Sequence, residues 1–445
     1  MPSVYVVHCI DTEGPLYQSL QASFDQIKSI FGLSFEPSQE TLRQLQNKEI
    51  ELGGLEDEVA RVVAPALFEY NDTWEKVDAM LRDALSADFR NRHRDSSGNG
   101  WVYNWHCLDH VGFTANPRRR DLGFHRVFDH YRALLEETGS IRDGMHFHHH
   151  PIPFSESAHH CATHYFNWKP VIYEIIARRI IERSWFPCVN RPGFHTTRPD
   201  SNWFLEQYIP FDYANQATND DDHANQQDLA NGRYGDWRRA PKSWQPYHPS
   251  HDDYQVPGNC RRWIARCLNV GTRLRLLTED DVEQAFAEAA DGKPVVLSFT
   301  NHDFRDIRPD VERVHSMIQS AARKFPNVPY INAEGREAMR KALSLPNRTP
   351  PRLTHRFDGR MLEVSTDAPL FGPQPFLALK TIDGTFFHDN FDFQRPNESW
   401  SYTFDQHTFQ IDKVVEIGIG ACDATGNVSV LNINPKTDSS TLHQL

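Results

Sequence analysis

The chain has 445 residues, which is enough for roughly two or three domains and a large apolar core. Hydrophobic residues make up 39% of the chain, a globular composition that argues against intrinsic disorder. The formal net charge of -13 at pH 7 argues against a nucleic-acid partner, because phosphate binding needs a positive field.

Neither a membrane span nor a secretory leader is predicted. No apolar run approaches the roughly 20 residues that cross a bilayer. The N-terminal MPSVYVVHCID lacks a basic segment followed by an apolar one. The 7 cysteines are odd in number and form no C-x-x-C pair, which favours a reducing compartment over a disulfide framework. The sequence therefore predicts a cytoplasmic protein.

From residue 1 to about 345, short apolar runs alternate with helical patterns. VYVVHCI (4–10) is rich in β-branched residues and precedes the turn-like DTEGP, which predicts a buried strand. A helical insertion is predicted at about 16–90, and one of its helices opens with a capping-box pattern of Asp72 and Glu75. Further strands are predicted at 101–108, 144–150, 294–302 and 328–333, and helices at 56–68, 73–85, 126–139, 170–184, 201–208, 311–325 and up to about 344.

This repetition of strand and helix predicts parallel strands with helical crossovers, arranged as an open sheet or a barrel. In such folds the chemistry gathers at the carboxyl ends of the strands. Four segments rich in polar residues lie at such ends, namely DTEGP, HFHHHP, NRPGF and NHDF. We therefore expect these four segments to meet at one end of the sheet.

The sequence changes character after the proline-rich SLPNRTPPR (344–352). Residues 346–445 contain short β-type runs separated by turn signals such as DG, RPNE and ATGN. This pattern predicts a C-terminal all-β module, sandwich-like in architecture. Its expected role is packing against the first domain or contact with another subunit, and homo-oligomerisation is left open.

Two pairs of histidines have the four-residue spacing that suits a shared metal ion: His146 with His150, and His160 with His164. Adding a carboxylate from DTEG (11–14) would complete a site with two histidines and one carboxylate. Three protein ligands leave coordination positions open for water and substrate. Taken alone, DTEG is better explained as a turn and a helix cap.

Together, the four segments resemble the motifs of the polysaccharide deacetylase (NodB homology) family, carbohydrate esterase family 4. The aspartate pair of the family is replaced by Asp11-Thr12-Glu13, and its H-x-x-x-H motif followed by proline is matched by GMHFHHHP (144–151). Its arginine–proline motif is matched by NRPGF (190–194), and its final motif by SFTNHD, which contains His302. The resemblance covers residues 1 to about 340 and implies a distorted (β/α) barrel with fewer than eight regular units.

The resemblance also implies a metal-dependent hydrolase that removes the acetyl group from an N-acetylated sugar. The implied metal is zinc, with cobalt or nickel as alternatives. Asp11 is implied as the base, Glu13, His146 and His150 as the metal ligands, Arg191 as the residue that orients Asp11, and His302 as the acid that protonates the leaving amine. Three positions depart from the family pattern: Glu13 is a glutamate displaced by one residue from an adjacent aspartate pair, Phe194 stands where an aromatic hydroxyl is common, and Thr300 stands where leucine is usual.

The strand at 101–108 ends in WHCLDH, and core aromatic packing is its default interpretation. The alternative is a sugar-binding surface with a polar rim. In that alternative the substrate-binding residues are Trp105, His106 and Asp109, joined by His148 and Phe194 from the motifs. His149 is predicted to be structural.

Two interpretations remain open for several polar residues. Asp212 and Asp303 are both candidates for the partner of His302. The basic run 118–120 is best explained as surface charge, with an anionic sugar or nucleotide-sugar as the alternative ligand. The acidic run 220–223 is best explained as a solvated loop, with cation binding as the alternative.

Two other functions remain open. A non-haem iron oxygenase also uses two histidines and one carboxylate, although it would leave Arg191 and His302 unexplained. A catalytically silent sugar-binding protein is the third possibility. A cytoplasmic enzyme would act on a nucleotide- or lipid-linked sugar intermediate rather than on a mature wall polymer.

Overall fold

The computed structural model describes residues 3–158, 160, 164–166, 171–218, 235–272 and 274–445. In this part of the chain, seven parallel strands close into a barrel in which each strand pairs with the next and β7 pairs with β1. An eighth strand pairs with the start of β1. The strands are β1 (Val4–Thr12), β2 (Tyr103–Leu108), β3 (Gly144–His149), β4 (Val189–Pro192), β5 (Phe211–Asn215), β6 (Trp263–Asn269), β7 (Val295–His302) and β8 (Tyr330–Asn332).

Strand β1 pairs with three other strands. It is buried almost throughout, as expected for a strand in a parallel sheet whose two faces are both covered. On one side it pairs with β7 from Val4 to Asp11. On its other side, Val4 to Val6 pair with β8, and His8 to Thr12 pair with β2. One long strand therefore closes the barrel by pairing with two shorter ones.

Helices fill the connections between the strands. Those predicted at 73–85, 126–139, 170–184 and 201–208 are confirmed, with ends that differ by two residues or fewer. The helices are α1 (Leu20–Phe31), α2 (Gln39–Gln46), α3 (Glu56–Val62), α4 (Trp74–Ala84), α5 (Ala87–Arg92), α6 (Arg126–Glu137), α7 (Val171–Arg183), α8 (Pro199–Tyr208), α9 (Glu279–Ala290), α10 (Arg308–Lys324) and α11 (Gly335–Ala342).

The predicted insertion between β1 and β2 contains helices α1 to α5, and α1, α2 and α3 share a small apolar cluster. The helix predicted at 56–68 is interrupted: α3 ends at Val62, and a short 3-10 helix follows at Pro65–Phe68 because proline cannot continue the α-helical hydrogen bonds. The capping box predicted before α4 is wrong. Thr73 caps α4 by accepting the backbone N–H of Lys76.

The C-terminal part is rich in antiparallel β structure. One sheet has the strand order β13-β14-β10-β9 and the other β12-β11-β15-β16-β17, and one apolar core lies between them. These strands are β9 (Leu353–Phe357), β10 (Met361–Thr366), β11 (Phe376–Thr381), β12 (Phe386–Asp389), β13 (Asp392–Arg395), β14 (Ser399–Thr403), β15 (Val414–Cys422), β16 (Val428–Asn434) and β17 (Ser439–Gln444).

The five-stranded sheet packs against α7 of the barrel, and two glycines in β15 allow the close approach. A Cβ atom on Gly418 would lie 2.5 Å from Ile180 Cγ2, and one on Gly420 would lie 2.4 Å from Phe186 Cδ2. Barrel and sheet residues belong to one continuous apolar cluster, so the β-rich part is packed onto the barrel. No helix in the described ranges is long and apolar enough to cross a membrane.

Candidate metal centre

The strand-end segments identified in the sequence meet at one end of the barrel. Asp11 and Glu13 lie at the end of β1, His148 and His150 at the end of β3, and the pairing of β1 with β7 brings Asp11 beside His302. The two carboxylates and the two β3 histidines are buried. His302 keeps 20% of its side chain exposed, so this mouth of the barrel remains open to a ligand.

Glu13, His148 and His150 form a group that could hold a metal ion, with their ligand atoms all within 4.8 Å of one another. The Nε2 atoms of His148 and His150 lie 3.1 Å apart, and Glu13 Oε1 lies 3.6 Å from His150 Nε2. Two donors bound tetrahedrally to one zinc ion at its usual bond lengths would be about 3.3 Å apart. The donor set therefore fits a divalent cation in both chemistry and spacing.

The hydrogen bond that His148 makes to the backbone leaves its Nε2 atom available to bind a metal ion. Its Nδ1 lies 2.7 Å from the carbonyl oxygen of Arg191. A carbonyl only accepts, so Nδ1 carries the proton and Nε2 keeps the lone pair that a metal needs. Burial lowers the pKa of both His148 and His150, an effect that Asp11 partly opposes at His148. Both rings are therefore held neutral, the form that binds metals.

The candidate metal group contains His148 in place of the predicted His146. His146 Nε2 lies 3.0 Å from Asn104 Oδ1 and 3.2 Å from Glu334 Oε1, deeper in the barrel. Residues two apart on a strand point to the same side, and each such step moves about 6.6 Å along the strand. His146 therefore shares its face with His148 and His150 but lies below the layer that contains Glu13.

Asp11 is held in the form that a general base requires. Arg191 Nε donates to Asp11 Oδ1 at 2.5 Å, and the Arg191 guanidinium is fully buried and also bonds to the Tyr213 carbonyl. Burial alone would raise the pKa of Asp11, but the charge and hydrogen bond of the Arg191 guanidinium lower it. Asp11 is therefore ionised, and its carboxylate is fixed in orientation.

His302 faces carboxylates other than those predicted as its partners. Its Nε2 lies 3.6 Å from Asp11 Oδ2 and 4.0 Å from Glu13 Oε1. Burial lowers the pKa of His302 to about 3, so the ring is neutral at rest. Asp303 instead accepts the backbone N–H groups of Glu13 and Gly14 and the hydroxyl of Tyr131, and Asp212 pairs with Arg262. Asp303 thus shapes the segment that carries Glu13.

Three of the predicted substrate-binding residues lie away from the candidate metal group. Trp105 packs on Tyr131 of α6 and donates to Asp143, on the outer side of the barrel wall. His106 points inward but lies with its ring 5.0 Å from that of His146, in the lower layer. Asp109 pairs with the buried Arg179 of α7 at 2.5 Å. These residues build the barrel wall and its lower layer, so the core interpretation of this strand was the better one.

A cavity of about 430 Å³ opens above the candidate metal group. Asp11, Glu13, His150 and His302 line it. Of the predicted substrate-binding residues, Phe194 alone lines it. The Phe194 ring lies 5.1 Å from that of His150, and its φ of 50° is uncommon for a bulky residue. The helical insertion supplies the opposite wall through Ile30, Val62, Leu67, Phe68 and Tyr70.

Several contributors to the site were not predicted. Arg120 contacts Glu13 Oε2, His195 bonds to Arg191, and Phe304 and Arg305 line the cavity. The basic run 118–120 is the sequence signal for Arg120, although surface charge was its preferred interpretation and an anionic ligand only the alternative. In the second histidine pair, His160 lines the cavity and His164 lies 3.6 Å from Asp200. The acidic run 220–223 lies outside the described residues.

Comparisons of the chain with protein-family models, with curated proteins and with solved structures find no match.

Proposed function

We propose that this protein is a metal-dependent hydrolase that removes the acetyl group from an N-acetylated sugar. The observation that carries the proposal is the convergence on one cavity of an oriented carboxylate base, a candidate metal group and a histidine. Asp11, Glu13, His150 and His302 all line that cavity. The motif resemblance to the polysaccharide deacetylases supports the same chemistry for these positions.

Glu13, His148 and His150 are the residues that would hold the divalent cation. Zinc is the ion that two imidazoles and a carboxylate favour, and cobalt and nickel suit the same donors. When bound, the cation would supply a Lewis acid that polarises the amide carbonyl and makes a water molecule more acidic.

Hydrolysis adds water across the amide C–N bond, so the acyl carbon gains an oxygen and the nitrogen gains a proton. Asp11, which Arg191 keeps ionised, is the base that takes the proton from the attacking water. His302 lies 3.6 Å from Asp11 and is neutral at rest, so it can receive that proton and pass it to the leaving nitrogen. Acetate and a free amine are the products.

The predicted cytoplasmic location favours a small sugar intermediate over a wall polymer as the substrate. The cavity volume of about 430 Å³ lies in the range of small-molecule sites and supports the same choice.

Metal analysis combined with acetate release from a panel of N-acetylated sugars tests the proposal. We expect one equivalent of zinc, cobalt or nickel and release of acetate. Asp11→Asn should keep the metal and lose roughly 10²- to 10⁴-fold in turnover, because it removes the general base. The matched control is Asp252→Asn, since that carboxylate is 91% exposed.

Two other results would contradict the proposal. Bound iron with turnover of 2-oxoglutarate would identify a non-haem iron oxygenase, which shares the two-histidine, one-carboxylate donor set. A metal-free protein that binds sugars without releasing acetate would identify a sugar-binding protein.

A further inference from the structure

We propose that the cavity binds an anionic group of its ligand, a phosphate or a carboxylate, through arginines gathered at the barrel mouth. The inference rests on the proposed function, because it specifies the substrate class of the same site. The substrate would then be a small acetamido sugar that carries a negative charge.

Among the described residues, three arginines from two loops line the cavity: Arg118 and Arg120 from the loop after β2, and Arg305 from the loop after β7. The Arg120 and Arg305 guanidinium carbons lie 5.9 Å and 5.0 Å from the centre of the Phe304 ring. The same ring lies 4.7 Å from the His302 ring. Positive charge is therefore concentrated beside the residue that would protonate the leaving group.

Contacts with the helical insertion orient the outer two arginines. Arg305 donates to the Leu67 carbonyl at 3.2 Å, and its guanidinium lies 5.2 Å from the centre of the Tyr70 ring. Arg118 donates to Gln18 Oε1, which also accepts the Tyr70 hydroxyl at 3.0 Å. A guanidinium has five N–H donors, so it can hold a neighbouring side chain and an anion at the same time.

Among the described residues that line the cavity, the acids offset part of this charge, through the contact of Glu13 with Arg120. Asp11 is paired with Arg191, and Glu13 is in contact with Arg120. The third acid, Asp25, lies on an exposed face of α1, where it accepts from Gln21. A divalent cation on the candidate metal group would add further positive charge.

Arg120 supplies a second, independent indication of a ligand. It is only 6% exposed, and its Nε has no hydrogen-bond partner among the described residues. Buried polar groups are normally satisfied, so an anionic oxygen in the cavity would meet this requirement. Ile30, Leu67 and Phe68 give the cavity an apolar wall, and an apolar surrounding strengthens charge pairing.

The test compares three related sugars on the zinc-loaded protein: neutral N-acetylglucosamine, its 1-phosphate, and N-acetylmuramic acid, which carries a carboxylate. We expect kcat/KM for at least one anionic sugar to exceed that for the neutral sugar by tenfold or more, about the effect of one charge-assisted hydrogen bond. The anion with the larger advantage identifies the charged group.

Arg118→Gln and Arg305→Gln should each remove this advantage by raising KM for the anionic sugar. Arg119→Gln is the matched control, because Arg119 is exposed on the same loop and its guanidinium lies over the Tyr17 ring. Circular dichroism establishes that each variant is folded.

Equal kcat/KM for neutral and anionic sugars in the wild-type protein would overturn the inference and leave the proposed function intact. If no sugar released acetate, the proposed function would fail, and calorimetric binding of the sugar 1-phosphate would test the anion site directly. Binding weakened at least tenfold by Arg305→Gln but not by Arg119→Gln would support the site. Undetectable binding, or equal binding by all variants, would overturn it.

Discussion

Glu13 turns its two carboxylate oxygens toward different partners. Oε1 lies 3.6 Å from His150 Nε2, on the side where a metal would bind, and Oε2 contacts Arg120. Both side chains are at most 5% exposed. Burial lowers the pKa of Arg120 to about 10, so the guanidinium remains charged at neutral pH. Arg120 therefore compensates the charge of Glu13 when no cation is bound.

This pairing predicts that Arg120→Met destabilises the metal-free protein. Removing one partner of a buried ion pair costs about 3–5 kcal/mol in the free energy of unfolding, because the other charge is left uncompensated. Added zinc should restore more stability to Arg120→Met than to the wild type, since the cation would replace the lost charge. Denaturant unfolding with a chelator and then with zinc measures both effects. An equal loss of stability in Arg119→Met, which removes an exposed charge, would contradict this explanation.

A second prediction separates the two inward-facing histidines of β3. His148→Gln should abolish stoichiometric zinc binding, because it removes one of the three donors. His146→Gln should retain the metal, because His146 contacts Asn104 and Glu334 in the lower layer. Metal analysis after gel filtration distinguishes the two variants, and circular dichroism checks their folding. Loss of zinc from both variants to the same extent would show that the ligand assignment is wrong.

Among the helices and strands, those with a clear apolar pattern were predicted from the sequence. Strands β1 and β7 are almost wholly buried, so their apolar runs are unbroken and easily recognised. Strand β13 is exposed at every residue and β17 at four of six, so neither shows the apolar pattern that marks a strand. Strand β6 and helix α9 were also missed.

The candidate site was likewise predicted only in part. The strand ends that meet at the barrel mouth were identified, because polar residues after an apolar run are visible in the sequence. The depth of each histidine along β3 was not, because the four-residue spacing of His146 and His150 fits a helix or loop as well as a strand. The contact between Arg120 and Glu13 joins segments more than 100 residues apart, and no local pattern records it.

The contact between β15 and α7 predicts how substitutions at these two elements change the free energy of unfolding. Gly418→Ala should lower the free energy of unfolding by about 1–3 kcal/mol, because the new Cβ would lie 2.5 Å from Ile180 Cγ2. Ile180→Ala also destabilises, by leaving a cavity, but it opens the space that the new methyl group needs. The double variant should therefore lose at least 0.5 kcal/mol less than the sum of the single losses, about the smallest coupling seen between residues in contact. Additive losses in urea unfolding would contradict the proposed close packing.

In the molecule as a whole, the barrel and the β-rich part are joined through α7. One apolar cluster includes Ile176 and Ile180 of α7, Phe211 of β5 in the barrel, and Phe376 and Val430 of the five-stranded sheet. Removal of the sheet would expose the apolar face that α7 turns toward it. The sheet thereby supports the helix that follows the histidine-bearing strand in the chain.

This shared cluster predicts that the barrel and the β-rich part unfold together. Scanning calorimetry of the full chain should show one transition, with a van't Hoff enthalpy close to the calorimetric one, because neither part keeps its apolar surface covered without the other. Gly418→Ala should shift the whole transition to lower temperature. Ile382→Ala, at a side chain that is 65% exposed, should leave the transition unchanged. Two resolved transitions, of which Gly418→Ala moves only one, would show instead that the β-rich part is an independent unit resting on the barrel.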